Sequence, residues 1–153
     1  MHTLPAPPFK GMGKLIHIAA WAILFGLPFF FTGRESQTVT VLSYVRSMIV
    51  PLSFMLVFYA NYFVLIDHFL FAKRPWKFLL CNVVLIAASM GAVHLMFELL
   101  PHPEWEHPRP EREWQETVGF FMVNAMLYML VAGLSVAIKM TGSWYEMESS
   151  RRE

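Results

Sequence analysis

Cysteine is almost missing from this chain: Cys81 is the only one among 153 residues, so no internal disulfide can form. Charge is scarce too, at 15% of residues, and the net value of +1 supplies no basic surface for a nucleic acid. The sequence has no glycine-rich phosphate loop, no Gly-x-Ser-x-Gly elbow, no HExxH zinc pair and no cysteine-based metal framework. These absences argue against an enzyme acting alone. Segments of about ten residues with alternating polarity, the signature of a membrane β-barrel, are absent as well. No fixed-period repeat or low-complexity tract takes their place.

What is present is apolar sequence: 56% of residues are hydrophobic and 16% aromatic, too much for an ordinary soluble domain of this size. Four apolar stretches run roughly over Leu15–Thr32, Met48–Phe71, Phe78–Leu100 and Val118–Ile138. A hydrocarbon core of about 30 Å takes about 20 helical residues, so each stretch is long enough to cross. Backbone groups in hydrocarbon must be satisfied within their own segment, which predicts helices. The expectation is an all-α polytopic membrane protein with four transmembrane helices in an antiparallel bundle. The first apolar stretch is expected to be retained, since no small-residue cleavage site follows Phe29, Phe30 and Phe31.

Basic residues set the expected orientation. Lys10 and Lys14, then Lys73, Arg74 and Lys77, then Lys139, Arg151 and Arg152 fall on one side. Only Arg34, Arg46, Arg109 and Arg112 fall on the other. The positive-inside rule therefore predicts that both termini and the short basic loop are cytoplasmic. The third link, with Glu104, Glu106, Glu111, Glu113 and Glu116 against two arginines, is expected outside. The organisation expected is a tail over residues 1–14, a transmembrane domain over 15–138 and a cytoplasmic helix start over 139–153. Partners implied at this level are the lipid bilayer and no nucleic acid.

Several local features refine the picture. Residues 39–45 already have helical character, which lengthens the second helix and puts Arg46 near the outer interface. Pro51 predicts a kink or a local relaxation in that helix. Pro75 separates the second and third helices, and Trp76 suits the headgroup region. Ala87, Ala88, Ser89, Gly91 and Ala92, and the Gly133/Ala137 pair, permit close approach of another helix. After Lys139 the chain turns polar, with Met140, Trp144 and Met147 at i, i+4 and i+7 and no proline. The fourth helix is expected to continue into the cytoplasm as an amphipathic rod. It either lies at the membrane surface or starts a parallel coiled coil leading to further protein; two turns do not establish a heptad.

Two polar groups are candidates for chemistry. Asn61, Asp67 and His68 lie near the inner end of the second span, and Asp67 is expected to pair with Lys73 or Arg74 of the adjoining loop. His94, Glu98, His102 and His107, with Glu104 and Glu106, form the second group. His94 and Glu98 share a helix face, while Pro101 and Pro103 break the helix around His102. Imidazole and carboxylate together can ligate a divalent metal or report external pH. The same residues fit a solvated acidic loop beside an ordinary buried His–Glu pair, and both readings stand. Phe54, Phe58, Tyr59, Tyr62 and Phe63 fit helix packing and bilayer contact, or the lining of a lipid or quinone cleft.

The run Phe58-Tyr59-Ala60-Asn61-Tyr62-Phe63-Val64-Leu65-Ile66, a following Phe-Leu-Phe, and Lys73-Arg74-Pro75-Trp76-Lys77-Phe78-Leu79-Leu80 together resemble the membrane region of certain bacterial sensor histidine kinases. These are the LytS/YehU-like kinases common in Bacteroidetes, and the resemblance extends to the exit from the fourth span through Trp144. The chain departs from it at Asp67-His68, where proline and a basic residue are expected. The resemblance implies a signal-input domain in the bacterial inner membrane, acting as a homodimer. Its fourth helix, with Met140, Trp144 and Met147, would pass movement to a downstream kinase domain beyond Glu153, which in turn serves a response regulator. No position here matches the phosphorylated histidine or the ATP-binding region, so no catalytic residue and no cofactor are implied for this chain. A self-contained accessory subunit binding a partner protein or lipid is the competing reading, and a transporter fragment a weaker third.

Overall fold

The computed structural model describes residues 9–32, 40–101 and 114–152. Among them the chain is all-α: α1 spans Phe9–Thr32, α2 Val41–Ala60, α3 Pro75–Leu99 and α4 Trp114–Arg152, with no strand. α2 passes directly into a π-helical stretch, Asn61–Leu70. The combined Val41–Leu70 helix, α3 and α4 are each long and apolar enough to cross a membrane. In α1 the described apolar stretch is His17–Gly26, shorter than a span. The class expected from the sequence is therefore met in its coarse form, an all-α chain of four helices, three of them long and apolar enough to cross a membrane. α4 ends far beyond the apolar run that defined it, because nothing between Lys139 and Arg152 breaks a helix.

The chain divides into two compact units, residues 1–51 and 52–153, with Pro51 at the division. In the first unit, Thr40 starts α2: its Oγ1 accepts a bond from the Ser43 backbone N–H at 3.3 Å. The Ser43 hydroxyl donates to the Thr40 carbonyl in return, at 2.8 Å. The Ser43 N–H, one of the orphan donors at the helix start, is satisfied this way. Helix α2 begins at Val41, as the helical character of residues 39–45 suggested. Pro51 lies inside α2 without ending it, and the departure from α geometry comes ten residues later, at Asn61.

The second unit holds the site. Its basic loop is a tight reversal whose geometry follows from three backbone bonds. Phe71 N–H donates to the Ile66 carbonyl (2.9 Å), Lys73 N–H to Leu70 (3.1 Å) and Arg74 N–H to Phe69 (2.8 Å). The last two are the paired bonds of a Schellman motif, which requires a left-handed residue at its end. Lys73 takes that role at φ 57°, a conformation in which side chains other than glycine are strained. Pro75 then opens α3 at its first positions, where the missing N–H costs nothing.

The π-helical stretch, α3 and α4 pack against one another. Their apolar centre is Val57, Ile86, Tyr128 and Ala132, with Phe54, Leu85 and Met90 against it. Around this thin core the outer faces are apolar and exposed, for example Leu79, Val83, Leu95, Leu130 and Leu134. Such a surface is matched by hydrocarbon rather than water. One stability change follows from the reversal: Lys73→Gly relieves the left-handed strain while adding freedom to the unfolded chain. A net gain of ~0.5–1 kcal/mol is expected in thermal unfolding of the detergent-solubilised protein. A lower melting point for the glycine variant would contradict this account of the loop.

Candidate functional site

Each helix of the second unit buries one stripe, and each stripe has the same composition. In α2 and the π-helical stretch it is Ser53, Val57 and then Asn61, with Phe58 and Ile66 buried there as well; in α3 it is Asn82, Ile86 and Ser89; in α4 it is Tyr128, Ala132 and Ser135. Spacings of three and four residues keep each set on one helical face. The pattern is polar, apolar, polar in every case. Three apolar residues meet in the middle, and polar groups lie on either side of them.

Polar side chains inside an apolar unit need partners. On one side of the core, Ser53 Oγ and the Tyr128 hydroxyl are 2.6 Å apart, tying α2 to α4. The Tyr128 ring also meets Phe54 edge-on, with centres 4.7 Å apart. On the other side the bonds are local. Asn61 Nδ2 donates to the Val57 carbonyl (3.0 Å), Asn82 Nδ2 to Phe78 (3.1 Å) and Ser135 Oγ to Ala132 (2.6 Å). Asn61 and Ser135 have no exposed surface at all.

A clasp lies next to this polar layer. Lys139 of α4 reaches across to the π-helical stretch, where its ammonium is 2.7 Å from Asp67 Oδ2. The same ammonium donates to the Tyr62 backbone carbonyl and sits 4.9 Å from the centre of the Tyr62 ring. One lysine thus joins a carboxylate, a carbonyl and an aromatic face on one neighbouring helix. Lys139 is 17% exposed and Asp67 45%, so the carboxylate keeps much of its water while the cation does not. A ladder of rings leads up to the clasp: Phe58 stacks on Tyr62 at 5.9 Å and Tyr59 on Phe63 at 5.6 Å.

The pairing expected for Asp67 is corrected here. Its carboxylate turns to Lys139 rather than to Lys73 or Arg74, which are exposed in the reversal. The left-handed turn at Lys73 occupies the backbone beside those two residues, while Lys139 arrives from a helix 72 positions away in sequence. Asp67 is the chain's only aspartate, and it is the only acid between Glu35 and Glu98; Lys139 is the only formal charge between Glu116 and Glu146. Two isolated opposite charges at span ends were the available signal for this contact. His68 bonds back to the Val64 carbonyl of its own helix at 3.0 Å.

The other candidates are more dispersed. His94 and Glu98 lie one turn apart on α3 and both are exposed, so the buried form of that pair is not adopted. His102 and His107, with Glu104 and Glu106, lie outside the described residues. Among the described residues no group of three or more His, Cys, Asp or Glu side chains gathers. Among the described residues, no neighbouring helix comes within 4 Å of a Cβ placed at Gly91 or Gly133. Met140, Trp144 and Met147 are exposed on α4, at 50%, 56% and 59%. Comparison with protein-family models, curated proteins and solved structures returns no match.

The unequal burial of the clasp gives a directional expectation. Asp67→Ala leaves a largely buried ammonium without its counter-charge, whereas Lys139→Met leaves a carboxylate that water already reaches and keeps the apolar stem. Asp67→Ala is therefore expected to cost roughly 1–2 kcal/mol and Lys139→Met roughly 1 kcal/mol or less. Thermal unfolding of both variants in the same detergent checks the order, and a larger loss from Lys139→Met contradicts it.

Proposed function

We propose that this chain is a membrane signal-input domain that works as a homodimer and passes movement through α4 to a protein domain on the cytoplasmic side. The observation that carries the reading is the outward face of α4. Met126, Leu130, Gly133, Ala137, Met140, Trp144 and Met147 are all exposed there, and they follow one another at spacings of four and three. That is a heptad seam maintained over three repeats, the length at which a coiled-coil reading becomes warranted. Gly133 and Ala137 let two backbones approach within the span, and Met140, Trp144 and Met147 continue the same face into the polar tail. A seam with these properties is self-complementary, so a second copy of the chain is its natural occupant. The opposite face of α4, through Tyr128, Ala132, Ser135 and Lys139, holds the helix to its own chain.

The arrangement proposed is four crossings that alternate in direction, the first made by the 24 residues of α1, with both termini cytoplasmic in a bacterial inner membrane. Ser53 pairs with Tyr128, and Asp67 with Lys139, which supports α2 and α4 running the same way. The tight reversal before α3 supports an opposite direction for that helix. The clasp also brings Lys139 to the end of the molecule that carries Lys73, Arg74 and Lys77, in keeping with one basic side. With 39 residues α4 is about 58 Å long, far more than the roughly 30 Å of hydrocarbon, so it extends well clear of the bilayer. A stimulus that favours one position of α4 over another shifts the tail with it, provided it binds the two arrangements with different affinity. The resemblance to LytS/YehU-like kinases makes a histidine-kinase core the proposed downstream domain. Catalysis and transfer to a response regulator would then lie outside this chain.

Site-directed disulfide crosslinking in membranes, with Cys81 replaced, tests the reading. Cysteines at Met140, Trp144 and Met147 are expected to crosslink strongly, and cysteines at Gly142, Glu146 and Ser149 on the opposite face weakly. Asp67→Asn is expected to change the relative yields along the stripe, because it loosens the hold on Lys139. Absent or patternless crosslinks would overturn the dimer and favour an accessory subunit that binds a partner protein or lipid.

A further inference from the structure

We infer that the carboxamide oxygens of Asn61 and Asn82 together hold one neutral O–H donor, water or the hydroxyl of a small alcohol, between the π-helical stretch and α3. The inference uses the alternating helix directions proposed above but does not depend on a signalling role. Asn61 is 0% exposed and Asn82 7%, and the Oδ1 atoms of both accept no hydrogen bond from the described residues. Each spends its Nδ2 on the carbonyl four residues earlier in its own helix. What remains on each side chain is the acceptor and one amide proton, and neither oxygen takes a proton from the other carboxamide.

Register brings the two asparagines to one level. Val57 and Ile86 meet in the apolar core. Asn61 is one turn beyond Val57 and Asn82 one turn before Ile86, so in helices of opposite direction both step from the core toward the basic reversal. Counted from that reversal, Asn61 is nine residues before Leu70 and Asn82 seven after Pro75, the same depth to within a turn. Ser135 of α4, also fully buried, is next after Ala132 on its stripe, and its proton is already given to the Ala132 carbonyl. Three helices therefore contribute oxygen lone pairs to this layer. No amide proton of the layer reaches either carboxamide oxygen, so a further group that brings protons is what satisfies them.

The charge of that group follows from its surroundings. No carboxylate belongs to the layer, so a cation would be desolvated without a counter-ion, and the Lys139 ammonium beside Tyr62 would repel it. An anion would face oxygen atoms. A neutral hydroxyl meets neither penalty, and a water molecule, with two protons and two lone pairs, matches two carboxamide oxygens and a third polar partner. Leaving buried acceptors unpaired costs more than making the bond gains, and more so where hydrocarbon replaces water.

The test uses nuclear magnetic resonance of the full chain in detergent micelles, with asparagine side chains labelled with nitrogen-15. The carboxamide protons of both Asn61 and Asn82 are expected to show cross-relaxation with water. Because the donor is shared, Asn82→Leu should abolish the signal at Asn61, and Asn61→Leu the signal at Asn82. If water signals are absent but titrated ethanol shifts both carboxamides, the hydroxyl source is an alcohol and the site stands. Overturning results are three: no response to either probe, water signals that survive loss of the other asparagine, or coupling between the two without any donor signal. The last would mean direct pairing of the carboxamides. The wild-type spectrum alone decides the first of these, so the test survives variants that fail to fold. In thermal unfolding, the double leucine variant is expected to melt no lower than the less stable single variant, since removing both acceptors leaves neither one unpaired. A double variant that melts lower, by the sum of the two single losses, would count against a shared donor.

Discussion

Everything in the second unit depends on attaching helices whose outer surfaces suit hydrocarbon. Between apolar helices in lipid there is no net gain from burying more apolar surface, so association rests on close packing and interhelical polar contacts. The buried stripes meet this constraint in a consistent way. Val57, Ile86 and Ala132 supply a small packed centre, and Ser53 with Tyr128 supplies a bond between α2 and α4. Asn61, Asn82 and Ser135 each donate to a carbonyl of their own helix, which lowers the cost of entering an apolar interior. Few of the described residues of this unit are buried, and apart from Phe58 and Ile66 they lie in the centre or in a polar layer beside it.

The clasp is best understood together with the π-helical stretch that receives it. Asn61 opens this stretch and Tyr62 is its second residue, so the carbonyl that accepts from Lys139 lies where the helix leaves α geometry. Local departures of this kind are found where a helix must serve something besides its own ladder. Asp67 lies in the same stretch and faces the same lysine. Two contacts separated along α2 and its extension, Ser53–Tyr128 and Asp67–Lys139, hold α4 at two heights rather than one. A helix held at two heights resists tilting, while sliding or rotation requires that both contacts yield together.

The coarse architecture was legible in the sequence because length and hydropathy are local properties. All four apolar runs became helices, three of them long and apolar enough to cross, and the helical character of residues 39–45 lengthened α2. Proline at position 75 and the basic run marked the reversal. What the sequence withheld depends on contacts between distant residues. Asp67 had basic neighbours at Lys73 and Arg74, and proximity along the chain favoured them; only the packing of α4 beside the π-helical stretch brings Lys139 within 2.7 Å. The ten-residue π geometry has no signature in NYFVLIDHFL, whose aromatic and branched residues suit an ordinary span equally well. The buried stripes were hidden for another reason: in a span that is apolar all round, Ser53, Asn82 and Ser135 identify a face only once their burial is known. Of the metal candidates, His94 and Glu98 were placed correctly on one face of α3, but that face is exposed.

Under the proposed signalling role, the two faces of α4 let one helix be anchored and still transmit. Tyr128, Ala132, Ser135 and Lys139 commit one face to the chain's own interior, and the seam from Met126 to Met147 lies on the opposite side. A rotation that kept the seam paired with a second copy would have to break the clasp, because Lys139 is only one residue from Met140 and shares its rigid backbone. Conversely, a change that released Lys139 from Asp67 would free that rotation at the level of the clasp. The clasp and the seam are thus coupled by the stiffness of a continuous helix, with no need for a chain of intermediate contacts. Under the proposed dimer, the asparagine layer one turn inside the clasp is the nearest place from which a small hydrogen-bonding molecule could bias that coupling.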